Sequence, residues 1–124
     1  MCGISGIFST YIDDSKINLL SKINNCLSHR GPDNSCVVSD RNIVFGHKRL
    51  SILDLSENGH QPMNSRSKRY IITFNGEIYN HLQIRKKYFS NYLWKSNSDT
   101  ETLIELIDKF GLEKSLKIIE GMFA

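Results

Sequence analysis

Proline, cysteine and long apolar runs are all scarce in this chain, and each shortage removes a class of protein. The three cysteines, Cys2, Cys26 and Cys36, are odd in number and show no C-x-x-C spacing. That argues against a disulfide framework and a zinc site, and fits a reducing compartment. No apolar stretch approaches the roughly 18 residues of a membrane span. The N-terminus also lacks the basic patch and apolar run of a secretory leader, so a cytoplasmic protein with no membrane partner is expected. His29, His47, His60 and His81 are widely spaced without an i, i+4 pair, and metal binding is not expected of them. Nor does one sign of charge prevail: 16 basic residues against 13 acidic ones leave +3. The basic groups Arg66-Ser67-Lys68-Arg69 and Arg85-Lys86-Lys87 are not interleaved with stacking aromatics, so they read as solvated surface rather than a nucleic-acid patch.

What is present suits one domain with a single core: 124 residues, 40% hydrophobic and 23% charged. Residues 2–9 alternate small and apolar side chains and predict a strand. Asp13-Asp14-Ser15 are cap-type residues, and Ile17, Leu20, Ile23 and Leu27 recur at helical spacing, predicting a helix over 15–28. Cys26 lies beside that stripe and reads as core packing. Arg30-Gly31-Pro32-Asp33 is a turn. Residues 36–40 and 42–47 predict an antiparallel pair, Arg49 to Leu55 a short extended segment, 56–62 a loop, and Tyr70 to Phe74 a strand ended by Asn75-Gly76. Asn80 with Gln83 opens a helix over 80–89, and Ser98-Asp99-Thr100-Glu101 has the spacing of a capping box. The helix that follows this box presents Leu103, Ile104, Ile107 and Phe110 on one face and is closed by Gly111. A last helix over 112–120 carries Leu112, Leu116 and Ile119, and Gly121 to Ala124 reads as a strand opening with no strand behind it.

Four features carry chemistry, each beside a plainer reading. Cys2, once Met1 is trimmed, holds a thiol and a free α-amine in one residue, and an amine partly unprotonated near neutral pH can relay the thiol proton without a separate histidine. Gly3 and Gly6 would leave the backbone beside it open to a substrate; the plain alternative is a cysteine placed there by chance. Asn75-Gly76 is a strong hairpin signal, yet a side-chain amide and a backbone N–H in adjacent residues also suit a developing oxyanion. Arg49 is either half of a surface ion pair or a fork for a substrate carboxylate. Asp99 is either a helix-dipole partner or, with Arg49, one end of a clamp on an α-amino acid.

The segments MCGISGIF at 1–8, HRGPD at 29–33, GHKRLSILDLS at 46–56, QPM at 61–63, FNGEIYN at 74–80, SDTE at 98–101 and EGMFA at 120–124 occur in one order along the whole chain. Together they resemble the glutamine amidotransferase domain of glutamine-hydrolysing asparagine synthetases, members of the N-terminal nucleophile hydrolases. The resemblance implies an α+β fold, a four-layer α/β/β/α sandwich of antiparallel sheets, with residues 1–124 as its N-terminal portion and the remaining strands and the synthetase domain beyond Ala124. It implies that Cys2 attacks the side-chain amide of glutamine, forms a glutamyl thioester and releases ammonia. On matching positions, Asn75 and Gly76 would form the oxyanion hole and Arg49 would bind the α-carboxylate. Asp99 and Glu77 would take the α-ammonium, and Leu50, Ser51, Ile52 and Leu53 would line the pocket through backbone groups. No cofactor is implied for this domain. ATP and magnesium belong to the synthetase domain, which receives the ammonia, and a homodimer is compatible with the full-length protein. Other acceptors, a glutamine-binding module that keeps Met1, and an inert fragment are the competing readings.

Overall fold

The alternating run after Cys2 forms β1 (Gly3–Phe8), the helix-periodic stretch forms α1 (Asp14–Cys26), and the segments flanking Arg41 form β2 (Asn34–Asp40) and β3 (Ile43–Arg49). This computed structural model describes residues 2–124, so Met1 and its removal lie outside the described residues. The chain divides into two compact units. The first holds the residues up to Ser51 together with His60–Pro62 and Thr73–Asn75, and the second holds Ile52–Gly59, Met63–Ile72 and Gly76–Ala124.

In the first unit an antiparallel sheet has the order β1-β3-β2, with Gly3 opposite Lys48 and Asn34 opposite Arg49. Arg41 turns the chain between β2 and β3 at a φ of 50°. Helix α1 starts at Asp13, whose carboxylate accepts the Lys16 N–H at 3.0 Å. The Ser15 hydroxyl and then that N–H hold the Asp13 carboxyl down at about 2. The helix lies on one face of the sheet through Leu20 and Asn24. Asn24 is the tie: its Nδ2 is 3.4 Å from the Ser35 hydroxyl and from the carbonyls of Cys36 and His47, and its Oδ1 accepts from the Ser5 hydroxyl at 3.4 Å.

Three expectations change here. Ile23 is 41% exposed because Asn24 occupies the inward position. Cys26 is exposed rather than core. Gly3 and Gly6 do not leave open backbone: a Cβ on Gly3 would sit 2.8 Å from Leu27 Cβ, and one on Gly6 would sit 3.1 Å from the Phe45 ring. These glycines serve helix and cross-strand packing instead.

The second unit is built on α3 (Asp99–Phe110), whose first two turns are buried on all sides. Ser98 caps it, its hydroxyl accepting the Glu101 N–H at 3.2 Å. Glu101 does not close the box on Ser98 but reaches further back, to the N–H groups of Lys95 at 3.0 Å and Ser96 at 2.8 Å. Around α3 stand the hairpin β4 (Met63–Asn64) and β5 (Ile71–Ile72), the pair β6 (Gly76–Ile78) and β7 (Gly121–Phe123), and the helices α2 (His81–Tyr88) and α4 (Leu112–Leu116).

The predicted strand over 70–74 narrows to Ile71–Ile72, and 50–55 joins no ladder. Asn75-Gly76 is not a hairpin turn: Gly76 opens β6, opposite Phe123. A side chain there would collide with the Met122 carbonyl and the Phe123 backbone, so glycine is required by close strand approach. The strand expected from Gly121 is present as β7, and it pairs with β6.

Asn80 does not cap α2 with its side chain. Its Nδ2 donates to the Ile118 carbonyl at 2.9 Å, and its Oδ1 accepts the Glu120 N–H at 3.0 Å. The last helix stops at Leu116, leaving Leu112 and Leu116 exposed while Ser115 turns inward. Arg85 is not solvated surface either. It donates to Thr102 Oγ1 at 2.7 Å, to Ser96 O at 3.0 Å and to Ser98 O at 2.7 Å, and lies 3.9 Å from the Trp94 ring centroid. The hairpin basics Arg66, Lys68 and Arg69 are exposed, as expected, although the Arg66 backbone N–H donates to Glu105 at 2.7 Å and Arg69 lies 3.6 Å from Asp108.

Asn24→Ala removes every polar tie between α1 and the sheet at that position. It is expected to cost about 1–3 kcal/mol in urea unfolding; a change within experimental error would mean that apolar contacts alone seat the helix.

Candidate active site

Cys2 directly precedes β1, which pairs with β3 down to Gly3 and Lys48. By the two-residue alternation of strands, His47 and Arg49 lie on the face of β3 away from α1, and Cys2 continues that face on β1. As the chain leaves β3 it passes the sulfur. The Leu50 N–H donates to Sγ at 3.4 Å, and the Leu50 carbonyl lies 3.7 Å from it as an acceptor for the thiol proton. An N–H directed at sulfur stabilises negative charge there, and a carbonyl beside it orients the neutral thiol.

The HRGPD turn holds both sides of this contact, a role not apparent from its sequence beyond the turn itself. Arg30 Nε donates to the Cys2 carbonyl at 3.0 Å. The Asp33 N–H donates to the Arg49 carbonyl at 3.0 Å, and its carboxylate accepts the Ser51 N–H at 2.7 Å. Leu50 is thereby fixed from the residue before and the residue after. Gly31 allows the turn this close, because any Cβ there would overlap the Lys48 carbonyl carbon and oxygen.

His47 is fully buried, and among the described residues neither ring nitrogen has a hydrogen-bond partner of good geometry. Burial pushes the imidazole down to about 4 from its ordinary 6.5, outweighing the nearby Phe74 backbone, which favours the charged form. The Arg49 and His60 charges add to the depression. His47 is therefore a neutral side chain. Phe74 itself is buried, and its N–H donates to Gln61 Oε1 at 2.6 Å. Next to it, Asn75 keeps a buried Oδ1, an acceptor, with no hydrogen-bond partner among the described residues.

The remaining sequence candidates lie in the second unit. Asp99 is buried, and its Oδ2 accepts the Ile78 N–H at 2.8 Å, so the first turn of α3 is bonded to β6, the strand that Gly76 opens and that carries exposed Glu77. His81, at the start of α2, is driven toward its neutral form, with burial the largest cause and Asp99 opposing it. Ile52 and Leu53 are exposed by 70% and 44%, outside any strand, which leaves their backbone groups free of a ladder. Among the described residues no three His, Cys, Asp or Glu side chains are grouped to hold a metal ion, and no helix is long and apolar enough to cross a membrane.

The chain, with a cysteine thiol just before its first strand, has relatives in sequence among known proteins. Over residues 1–124 the chain matches the glutamine amidotransferase domain family, and it belongs to that family. It is 37% identical over 128 residues to asparagine synthetase (glutamine-hydrolyzing) 1 of Bacillus subtilis strain 168, covering all of this chain and 20% of that protein. With asparagine synthetase B (glutamine-hydrolyzing) of Escherichia coli strain K12 it shares 35% identity over 125 residues, again all of this chain and 22% of the relative. A putative asparagine synthetase (glutamine-hydrolyzing) 2 of Methanocaldococcus jannaschii is 37% identical over 144 residues, with all of this chain and 27% of the relative covered. The chain thus spans 20–27% of the length of these relatives.

The buried histidine gives a pH prediction. In the unfolded chain His47 takes its proton near 6.5, and in the folded chain only near 4. Between those values the unfolded state binds more protons, so stability is unaffected by His47 above about 6.5 and falls as pH drops toward 4. The loss amounts to something on the order of 3 kcal/mol. Urea unfolding across that window is expected to show a shallower pH slope for His47→Gln than for the unsubstituted protein; parallel slopes would mean that His47 titrates normally in the fold.

Proposed function

We propose that this domain hydrolyses the side-chain amide of glutamine in the cytoplasm and passes the ammonia to an asparagine-forming synthetase region of a longer protein. The observation that carries the reading is the thiol of Cys2 held against the Leu50 backbone, in a chain that matches the amidotransferase family over its whole length. With Met1 removed, the α-amine of Cys2 takes the thiol proton, and Sγ attacks the amide carbon. The carbon–nitrogen bond then breaks, and nitrogen leaves as ammonia after receiving that proton. Water attacks the resulting thioester, releasing glutamate and restoring the thiol.

In this reading the Asn75 side-chain amide and the Gly76 N–H stabilise the tetrahedral oxyanion. Arg49 binds the α-carboxylate, Asp99 and Glu77 the α-ammonium, and the backbone of Leu50, Ser51, Ile52 and Leu53 borders the substrate. The ladder-free backbone of 50–53 supports the pocket assignment, and Asn75 would act through its Nδ2 N–H groups, Oδ1 being an acceptor. The complete domain is the four-layer sandwich of the N-terminal nucleophile hydrolases. ATP and magnesium would serve the synthetase region, and no residue of this domain is assigned to them. Aspartate is the acceptor that the names of the relatives favour.

Ammonia release from glutamine by the protein containing this chain tests the reading. Cys2→Ala is expected to release none above background; equal release would remove Cys2 from the chemistry. Asn75→Ala is expected to slow turnover by roughly 10²–10³. Arg49→Lys should raise KM by roughly tenfold with little change in kcat, since a point charge replaces a two-pronged fork and a charge-assisted bond of about 1.5–3 kcal/mol is lost. An unchanged KM would move the carboxylate site elsewhere. Intact mass of the purified protein should show Met1 absent.

A further inference from the structure

We infer that Gln61 is a positioning residue for Asn75: by holding the backbone one residue earlier, it sets where the Asn75 carboxamide meets charge developing on the substrate oxygen. The inference rests on the oxyanion role proposed above and adds the residue that makes that role geometrically possible.

Gln61 is anomalous for its setting. It lies in a polar, breaker-rich connection, yet it is only 6% exposed, although glutamine is seldom buried without a task. Its Oε1 accepts the Phe74 N–H at 2.6 Å. Phe74 needs such an acceptor, because β5 ends at Ile72 and β6 starts at Gly76, so no ladder partner serves residues 73–75. A buried N–H left without a partner costs about 1–3 kcal/mol.

Another tie on this segment is longer: the Thr73 hydroxyl donates to the Gly46 carbonyl at 3.4 Å. Side-chain hydrogen bonds thus help to hold the stretch carrying Asn75, and Gln61 makes the shorter of these two. Asn75 Oδ1 makes no hydrogen bond among the described residues, so the acceptor end does not anchor the carboxamide, and the Nδ2 N–H groups that would face the oxyanion project from this backbone. For an oxyanion donor that position is decisive, because stabilisation depends on a donor aimed in advance at the site of the charge. A misplacement of about 1 Å can cost on the order of 10² in rate.

The test is a cycle of variants in the protein containing this chain, read by steady-state glutamine hydrolysis. Gln61→Leu removes the acceptor with similar bulk. It is expected to lower kcat roughly tenfold to a hundredfold and leave KM within about twofold. Gln61→Glu keeps an acceptor oxygen at the same reach and is expected to restore most of kcat. In an Asn75→Ala background, Gln61→Leu should change kcat by less than about threefold, since the group it positions is gone.

Equal kcat losses in both backgrounds, or unchanged kcat in the single variant, overturn the assignment of Gln61. If Asn75→Ala alone slows turnover while the two losses multiply, the oxyanion reading stands and only the positioning role falls. If Asn75→Ala turns over normally, both fall together. Should Gln61→Leu not fold, Gln61→Asn, one methylene too short to reach Phe74, takes its place in the cycle: a kcat loss confined to the background that keeps Asn75 supports the positioning role, and an equal loss in both backgrounds overturns it.

Discussion

The register of β1 on β3 is the constraint from which the rest of the first unit follows. Gly3 opposite Lys48 leaves Cys2 level with the end of β3, where the chain turns away at Leu50 and brings an N–H to the sulfur. A slip of one residue would send every side chain of β1 to the other face. Gly3 would then lose its place beneath Leu27, Ser5 would leave Asn24, and the thiol would turn toward the helix. The contacts of Asn24 with all three strands penalise such a slip, so the residue that seats α1 also protects the position of the thiol.

Away from regular ladders, both units solve one problem in one way. An irregular segment that is buried still has N–H and C=O groups to satisfy, and here long polar side chains supply the partners. In the first unit Asp33 serves Ser51 and Gln61 serves Phe74. In the second, Asp54 serves Asn97, Glu101 serves Lys95 and Ser96, and Arg85 serves the carbonyls of Ser96 and Ser98. The carboxylate of Asp99 performs the same service for Ile78. A carboxylate has lone pairs for several bonds, so a fold-supporting role and an ammonium-binding role are compatible in Asp99.

Regular elements were legible because local signals and burial agreed. Ser98 before an apolar-periodic run gave α3 at its true start, and the alternation after Cys2 gave β1. The misreadings share a cause: a local motif lost to a distant partner. Asn75-Gly76 has hairpin chemistry, but β7 arrives from much later in the chain to pair with Gly76. Asn80 has cap chemistry, but its amide is engaged by the Ile118 and Glu120 backbone. Arg85 sits in a basic triplet, and only tertiary structure supplies the carbonyls that draw it inward. Cys2, Arg49, Asn75 and Asp99 could be selected from the sequence by residue chemistry and family resemblance. Arg30, Asp33 and Gln61 could not, since a side chain that acts on backbone leaves no periodic trace.

The polar atoms left over are as informative as those that are paired. A fold that supplies acceptors to Phe74, Ser51 and Ile78 still leaves buried polar atoms lacking hydrogen bonds among the described residues, on Asn34, His47, Asn75 and His81 among others. Such unpaired atoms oppose folding by roughly a kcal/mol or more each, and selection for stability alone would pair or remove them. For His47 the cost is limited because the ring gives up its proton, and a neutral imidazole is tolerated far better than a charge. Asn75 has no such outlet, because an amide cannot titrate. The open atom is an acceptor, Oδ1, whereas the oxyanion role proposed for Asn75 belongs to its Nδ2 N–H groups; the bond from Gln61 to the preceding N–H holds the backbone that carries both.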